Sequence, residues 1–289
     1  MFETLLTVLA ETLGIILLVA AMMTVVEFLE LKYQEKIRLF FTDHKSMQIV
    51  LSSFMGSLPG CTGTFFIDTL YMAGLVGFGG IIAVMVSTFG DEAYVLIANA
   101  FSKESNVTIM NLVVLFSILF ILGIVAGYLA DFYQRRFKLK LCEHCHIEHH
   151  YNYKENFSFK HFFEDHVWKH VIKKHIPKLF FWLYFSIFIF EVIGESFDVN
   201  SLMTDNKYML IALAGIIGIF PISGPNLIFI TLFSKGMIPM SVLVTNSIVQ
   251  DGHGLLPLLS YSLDDSFKIK LFNLVFGLIV GYLMLFMGF

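Results

Sequence analysis

The chain has 289 residues, of which 57% are hydrophobic and 15% are charged, and its formal net charge is −4. Soluble domains carry about 25% charged residues. This composition, with a mean hydropathy of +0.76, therefore excludes an ordinary soluble domain and indicates a polytopic membrane protein. Three cysteines are too few for a disulfide framework.

The chain contains two series of five apolar segments. The first segment has no basic region before it, so we expect a retained span rather than a cleaved signal peptide. A full span needs about 20 residues. The second and third segments of each series are shorter and meet at Pro59 and Pro221, which predicts Pro/Gly-broken re-entrant helices around a substrate site. The segments are 5–31, 46–58, 61–75, 78–98 and 108–132, then 177–195, 208–220, 222–233, 237–259 and 268–289.

The two series resemble each other. An offset of 162 residues places Pro59 on Pro221, Gly74 on Gly236 and Gly90 on Gly252. After the next loop an offset of 154 places "GIVAGYLADF" on "GLIVGYLMLF". This self-similarity predicts a duplication, with one membrane repeat at 1–132, a second at 177–289 and a loop at 133–176 between them.

The charged loops orient these repeats. Loops 32–45 and 133–176 are basic and are expected in the cytoplasm, whereas the acidic loop from Ser196 is expected outside. A re-entrant 46–75 hairpin leaves three crossings in the first half, so the second half runs in the opposite direction. The expected fold is all-α and polytopic, with two inverted-topology repeats of about five hydrophobic segments each and both termini outside.

Polar residues interrupt the apolar segments at matched places in the two repeats. "NSIVQDGHG" from Asn246 aligns with "MVSTFGDEA" from Met85. Ionisable side chains inside a membrane are costly and indicate a functional site, although they could instead cap broken helices or lie at an interface in water. The predicted ion-binding residues are Thr88, Asp91, Glu92, Asn246, Gln250, Asp251 and His253, with Asp68 second in rank, and the hairpin tips facing them are Pro59, Gly60 and Cys61, and Pro221, Ser223 and Gly224.

The chemistry of these side chains narrows the cargo. Carboxylate, imidazole and amide groups suit divalent cations such as Mn, Fe, Co, Ni or Zn. Protons would compete with the metal for the same carboxylates, because a ligand must lose its proton before it coordinates. We therefore expect one central site at which cation and proton exchange.

The central loop contains a second group of metal ligands. Its "CEHCHIEHH" stretch offers more than the four ligands of a tetrahedral zinc site. The alternative is a solvated basic loop that binds metal only adventitiously. The predicted ligands are Cys142, His144, Cys145, His146, His149 and His150.

Two motifs, "GDEA" and "SIVQDGHG" with the downstream "PLL", resemble those of the ten-span heavy-metal exporter family. Members of that family also carry the labels arsenic efflux protein and manganese transporter. The resemblance covers most of the chain except the central loop. It implies an exporter of the bacterial inner membrane rather than an enzyme.

Two alternatives to divalent-metal export stay open. An arsenical efflux permease would favour thiols, but the membrane segments contain one cysteine, Cys61. A weaker likeness links the "PIS" tip to polyprenyl-phosphate flippases and phosphatases, for which phosphate recognition by Arg is expected. Arg38, Arg135 and Arg136 all lie outside the predicted spans.

The sequence contains no Walker A motif, so an ion gradient, most simply of protons, would drive export. The expected partners are the lipid bilayer, the metal substrate and the coupling proton. No nucleic acid is expected, and a homodimer is left open. No cofactor is required, and bound zinc in the central loop is left open.

Overall fold

The computed structural model describes residues 45–90, 92–100, 106–139, 206–220 and 224–289, with shorter stretches between 5 and 24 and between 163 and 188. All secondary structure in these described residues is helical. The first half contains α1 Lys45–Gly56, α2 Thr62–Met72, α3 Phe78–Ser87, α4 Glu92–Ala100 and α5 Ile109–Phe137. The second contains α6 Lys207–Gly218, α7 Gly224–Ser234, α8 Met240–Val249, α9 Leu256–Tyr261 and α10 Leu263–Phe286.

Within the described ranges, α5 and α10 are the two helices long and apolar enough to cross a membrane. At 1.5 Å per residue they extend about 43 Å and about 36 Å, more than the roughly 30 Å of a hydrocarbon core. Their outer faces carry exposed apolar side chains such as Ile121, Phe132 and Ile279. Helices α1, α3, α6 and α8 are apolar but shorter.

The backbone repeats with the offset seen in the sequence. Helices α1, α2 and α3 begin 162 residues before α6, α7 and α8, and each pair has equal length. The turns repeat as well: Gly74 and Gly236 have φ of 72° and 70°, and Gly90 and Gly252 have φ of 60° and 51°. Positive φ is readily adopted only by glycine, so the matched glycines mark matched turns.

Helix packing follows the same correspondence. Helix α3 packs between α1 and α5, and α8 packs between α6 and α10. Between the halves, α4 contacts α7 while its counterpart α9 contacts α2, and α3 contacts α8. In the described part of the chain, these contacts between the halves occur in matched pairs.

Glycines allow the long helices to pack closely in both halves. A Cβ on Gly127 of α5 would lie 2.7 Å from the carbonyl oxygen of Gly79 and 2.6 Å from Cγ2 of Ile49. A Cβ on the matched Gly281 of α10 would lie 1.9 Å from Oγ1 of Thr245. Small residues four apart are the usual means by which membrane helices bring their backbones together.

We predict that Gly127→Leu destabilises the protein by about 1–3 kcal/mol or more, because backbone atoms of α3 cannot move aside for the new side chain. Thermal unfolding of the purified protein in detergent measures this change. Val125→Leu is the matched control, since Val125 lies on the same helix with 43% of its surface exposed. Equal unfolding midpoints for the two variants would show that the close approach of α3 and α5 is unimportant.

Candidate ion-binding site

Two apolar segments are interrupted at matched positions. Helix α3 ends at Ser87 and α4 begins at Glu92, and α8 ends at Val249 while α9 begins at Leu256. The first residue of each break is extended, with ψ of 139° at Thr88 and 126° at Gln250. Such breaks leave helix-end carbonyls in the interior, which is tolerable only where polar groups or water meet them.

The two breaks meet each other and the first hairpin tip. A Cβ built on Gly252 would lie 3.9 Å from Cα of Gly90 and 3.8 Å from Sγ of Cys61. The N–H of Gly60 donates to the carbonyl oxygen of Gly90 at 3.0 Å. Gly60 and Cys61 are buried, whereas Pro59 is exposed. We call this meeting point of Gly60–Cys61, Gly90 and Gly252 the junction.

Matched hydrogen bonds hold each break against a hairpin helix. In the first half the hydroxyl oxygens of Thr64 and Thr88 are 3.0 Å apart. At the aligned positions of the second half, the amide of Asn226 donates to Oε1 of Gln250 at 3.5 Å. Oε1 of Gln250 also accepts from the N–H of Gly252 at 2.9 Å. Thr88 and Gln250 therefore position the backbone at the breaks.

Asn246 has a similar positioning role in the second half. Its side-chain amide donates to Oδ1 of Asn226 at 3.0 Å and to the carbonyl oxygen of Ala214 at 3.1 Å. These bonds tie α8 to both α7 and α6. The donor groups of this amide are thus used within the protein.

Asp251, one residue before Gly252, forms an ion pair that the sequence analysis did not predict. Oδ2 of Asp251 lies 2.7 Å from Nζ of Lys270 on α10. Oδ1 of Asp251 accepts a hydrogen bond from the amide of Asn273 at 3.0 Å. The carboxylate of Asp251 is fully buried and Lys270 is 9% exposed, so the pair lies in the protein interior.

The ends of two helices complete the surroundings of Lys270. Its Nζ donates to the carbonyl oxygens of Gly218 at 3.0 Å and Val249 at 2.8 Å, the last residues of α6 and α8. The C-terminal end of a helix carries partial negative charge, so both ends stabilise a cation. In the first half, the positions aligned with Asp251 and Lys270 hold Phe89 and Phe116, whose rings pack with centroids 5.6 Å apart.

Asp68 is the second fully buried carboxylate near the junction. Within the described part of the chain, neither of its oxygens has a partner in hydrogen-bond geometry. The backbone N–H of Leu258 and the charge of Asp251 are close enough to act on it. Burying a carboxylate without a partner costs several kcal/mol. A carboxylate in such surroundings is neutralised either by a proton or by a bound cation.

The remaining predicted site residues lie partly within and partly outside the described part of the chain. The side chain of His253 is buried beside the junction, 3% exposed. Glu92 and Gly224 are described by their backbone, as the first residues of α4 and α7. In the described part, no three His, Cys, Asp or Glu side chains form a group that could hold a metal. Outside the described residues lie Asp91, Pro221, Ser223, Cys142, His144, Cys145, His146, His149 and His150.

The sequence analysis missed Lys270 and Asn273. They are three residues apart in "KIKLFNLVFG", so a helix places them on one face. A lysine and an asparagine on one face of an apolar helix could have been recognised as a polar stripe. Asn226, beside the second hairpin tip, was missed as well. Its aligned residue is Thr64, and an amide does not obviously match a hydroxyl side chain.

The described part thus defines an all-helical protein with interrupted apolar helices and charged groups buried where they meet. A family model with the description "Putative, 10TM heavy-metal exporter" matches residues 2–176 and 152–288. The chain belongs to this family, which confirms the resemblance seen in its motifs and makes it a multi-span membrane protein of a heavy-metal exporter family. Comparisons with curated proteins and with solved structures gave no match.

We predict that Asp251→Asn and Lys270→Met each destabilise the protein by about 3–5 kcal/mol, because each leaves a buried charge without its partner. The double variant should lose much less than the sum of the two. Unfolding in detergent of all four proteins forms the double-mutant cycle.

The ion pair of Asp264 with Lys268 on the same helix supplies the control cycle, because the Asp264 side chain is 77% exposed. Exposed pairs couple by less than about 1 kcal/mol. Additive effects at Asp251 and Lys270 would contradict the predicted coupling.

Proposed function

We propose that this protein exports a divalent transition-metal cation across the bacterial inner membrane in exchange for protons. Membership of a heavy-metal exporter family supports metal efflux in general. The observation that carries the proposal is the pair of buried carboxylates, Asp68 on the hairpin helix α2 and Asp251 at the second break. Lys270 pairs with Asp251, while Asp68 has no hydrogen-bond partner among the described residues, so we propose that a further cation neutralises it.

The contacts of Lys270 argue for a cation rather than an anion as substrate. Its ammonium group has three oxygens within 3.0 Å, from Asp251, Gly218 and Val249. An ammonium group has three donors. None remains to recognise phosphate or an arsenic oxyanion, which disfavours both the polyprenyl-phosphate and the arsenical alternatives.

The donor atoms near the junction indicate the class of metal. Asp251 and His253 flank Gly252 and Asp68 lies on α2; because these three side chains do not form a metal-holding group in the described part of the chain, we propose that Asp91 and Glu92 complete the ligand set. Oxygen ligands with one imidazole suit Mn, Fe, Co, Ni or Zn. Cys61 is the one cysteine of the described residues, and a single thiol favours these metals over soft arsenicals.

We propose that the two halves are inverted repeats that rock about the junction. The matched contacts between the halves support a two-fold relation. Arg135 and Arg136 in the last turn of α5 support a cytoplasmic end for that helix, which leaves both termini outside. Re-entrant hairpins 46–75 and 208–233 would then bring their tips to the junction from opposite sides.

Protons are the simplest driving ions, because the sequence has no ATP-binding motif. A carboxylate that binds metal must be free of its proton. Exchange of metal for protons at the buried carboxylates would couple the two fluxes. The protein would thus act as a secondary transporter and catalyse no chemical reaction.

Asp68→Asn and Asp251→Asn should each reduce metal transport at least a hundredfold while leaving insertion in the membrane intact, because each removes a charged ligand that asparagine replaces only weakly. Transport of Mn, Fe, Co, Ni and Zn into or out of proteoliposomes under a proton gradient measures this. We expect the same of Asp91→Asn.

Asp264→Asn on α10 is the matched control, since this exposed aspartate lies outside the junction. It should transport at nearly the wild-type rate. Metal flux at wild-type rates in both Asp68→Asn and Asp251→Asn would place the transport site elsewhere in the chain.

The central loop supports a separate prediction, on residues outside the described ranges. A peptide of residues 141–151 should bind Zn, because its Cys and His residues suit tetrahedral zinc. Deleting the stretch should slow transport without abolishing it, since a capture loop raises the local metal concentration but does not form the path. Calorimetry without heat above buffer would count against capture, and total loss of transport would make the loop part of the path.

A further inference from the structure

The surroundings of Lys270 have the form of an occupied cation site. Its nitrogen lies 2.7 Å from a carboxylate oxygen and 2.8 and 3.0 Å from two carbonyl oxygens. Carboxylate and carbonyl oxygens at helix ends are ligands that hard metal cations also take. The cation present here belongs to the protein and is attached to α10 by a flexible four-carbon stem.

We propose that Lys270 is a tethered counter-ion that holds Asp251 while no metal is bound, and that the exported cation must displace it. The inference rests on the proposed function and deepens it, because it makes the ammonium group of Lys270 the competitor of the metal for Asp251. Lys270 gives Asp251 a partner in the empty protein. The protein can then change conformation without an uncompensated negative charge at that position.

Displacement follows from the charges. A divalent cation bound to Asp251 would lie within a few ångströms of the ammonium group, and two cations at that distance in a poorly hydrated interior repel strongly. Metal and ammonium therefore exclude each other from Asp251. The net free energy of metal binding is therefore the difference between the metal–Asp251 and the ammonium–Asp251 interactions. This smaller net affinity allows the metal to leave again.

A receiving group for the displaced lysine is present on the same helix. Oδ1 of Asn273, three residues after Lys270, is buried and has no hydrogen-bond partner in the described part of the chain. Residues three apart face the same side of a helix. A rotation of the lysine side chain could thus exchange Asp251 for Asn273 without movement of α10.

The displaceable counter-ion is present in the second half and not at the aligned positions of the first. The positions aligned with Asp251 and Lys270 hold the packed rings of Phe89 and Phe116. An aromatic pair can hold α5 against the first break but cannot exchange with a cation. Displacement of a lysine by the metal therefore takes place at Asp251 and not at the aligned position in the first half.

The experiment measures binding of Mn²⁺ and Zn²⁺ to the purified full-length protein in detergent, at one fixed pH, by titration calorimetry. Lys270→Met should bind metal about tenfold more tightly or better, because metal no longer competes with the ammonium for Asp251. The rise in unfolding temperature on adding metal should also be larger than for wild type. Lys268→Met, on the same helix, should bind as wild type does.

Equal or weaker binding by Lys270→Met would overturn the inference and make the lysine a permanent link between helices. If the wild-type protein binds and Lys270→Met binds equally, the proposed function stands and this inference alone falls. If the wild-type protein binds neither metal, both fall. Should Lys270→Met fail to fold, Lys270→Arg supplies the opposite test: its planar fork pairs more firmly with a carboxylate, so metal should bind about tenfold more weakly. Unchanged binding there would also overturn the inference.

Discussion

A buried carboxylate and a buried ammonium group in contact set the conditions that the second half of the protein must meet. Each charge alone would be several kcal/mol too costly in this interior. Asp251 and Lys270 relieve that cost for each other, and the carbonyl ends of α6 and α8 add two more oxygens. Both helices therefore end where the ammonium group reaches their last carbonyl oxygens.

Glycines at the two breaks allow the chain to turn. After the last residue of α8 the chain must turn sharply so that Asp251 faces α10, and Gly252 adopts a φ of 51° to do so. Gly90 makes the matched turn in the first half. Because neither glycine has a side chain, the two turns and Cys61 approach one another closely, and polar groups from both halves share one small space.

The repeated backbone has acquired different chemistry in its two copies. A hydrogen-bonded threonine pair in one half corresponds to an amide pair in the other, and an aromatic contact corresponds to the ion pair. In each case the substituted pair joins the same two elements. Helix positions are thus preserved by pairwise replacement, and of these matched pairs the Asp251–Lys270 pair is the charged one. A symmetric scaffold in this way contains an asymmetric site.

The sequence by itself determined the membrane class, the family, the offset between the halves and the places where helices break. These are local properties, since apolar length, glycine and proline act on the backbone within a few residues. It also drew attention to Asp251 and His253, because ionisable residues stand out in an apolar segment; both are buried, and their role as ligands is a prediction. Asp91 and Glu92 stay predictions, as does the inversion of the halves.

Only the tertiary structure decided which groups meet. Lys270 lies on a different helix from Asp251, and Asp68 comes from the other half of the chain. No periodicity encodes contacts between distant segments, and whether a buried carboxylate is paired depends on such contacts. The sequence analysis therefore named both aspartates as ligands, with Asp68 second in rank, but could not say which of them is paired. The fold distinguishes them, because Asp251 already has a cation beside it, whereas Asp68 has no hydrogen-bond partner among the described residues.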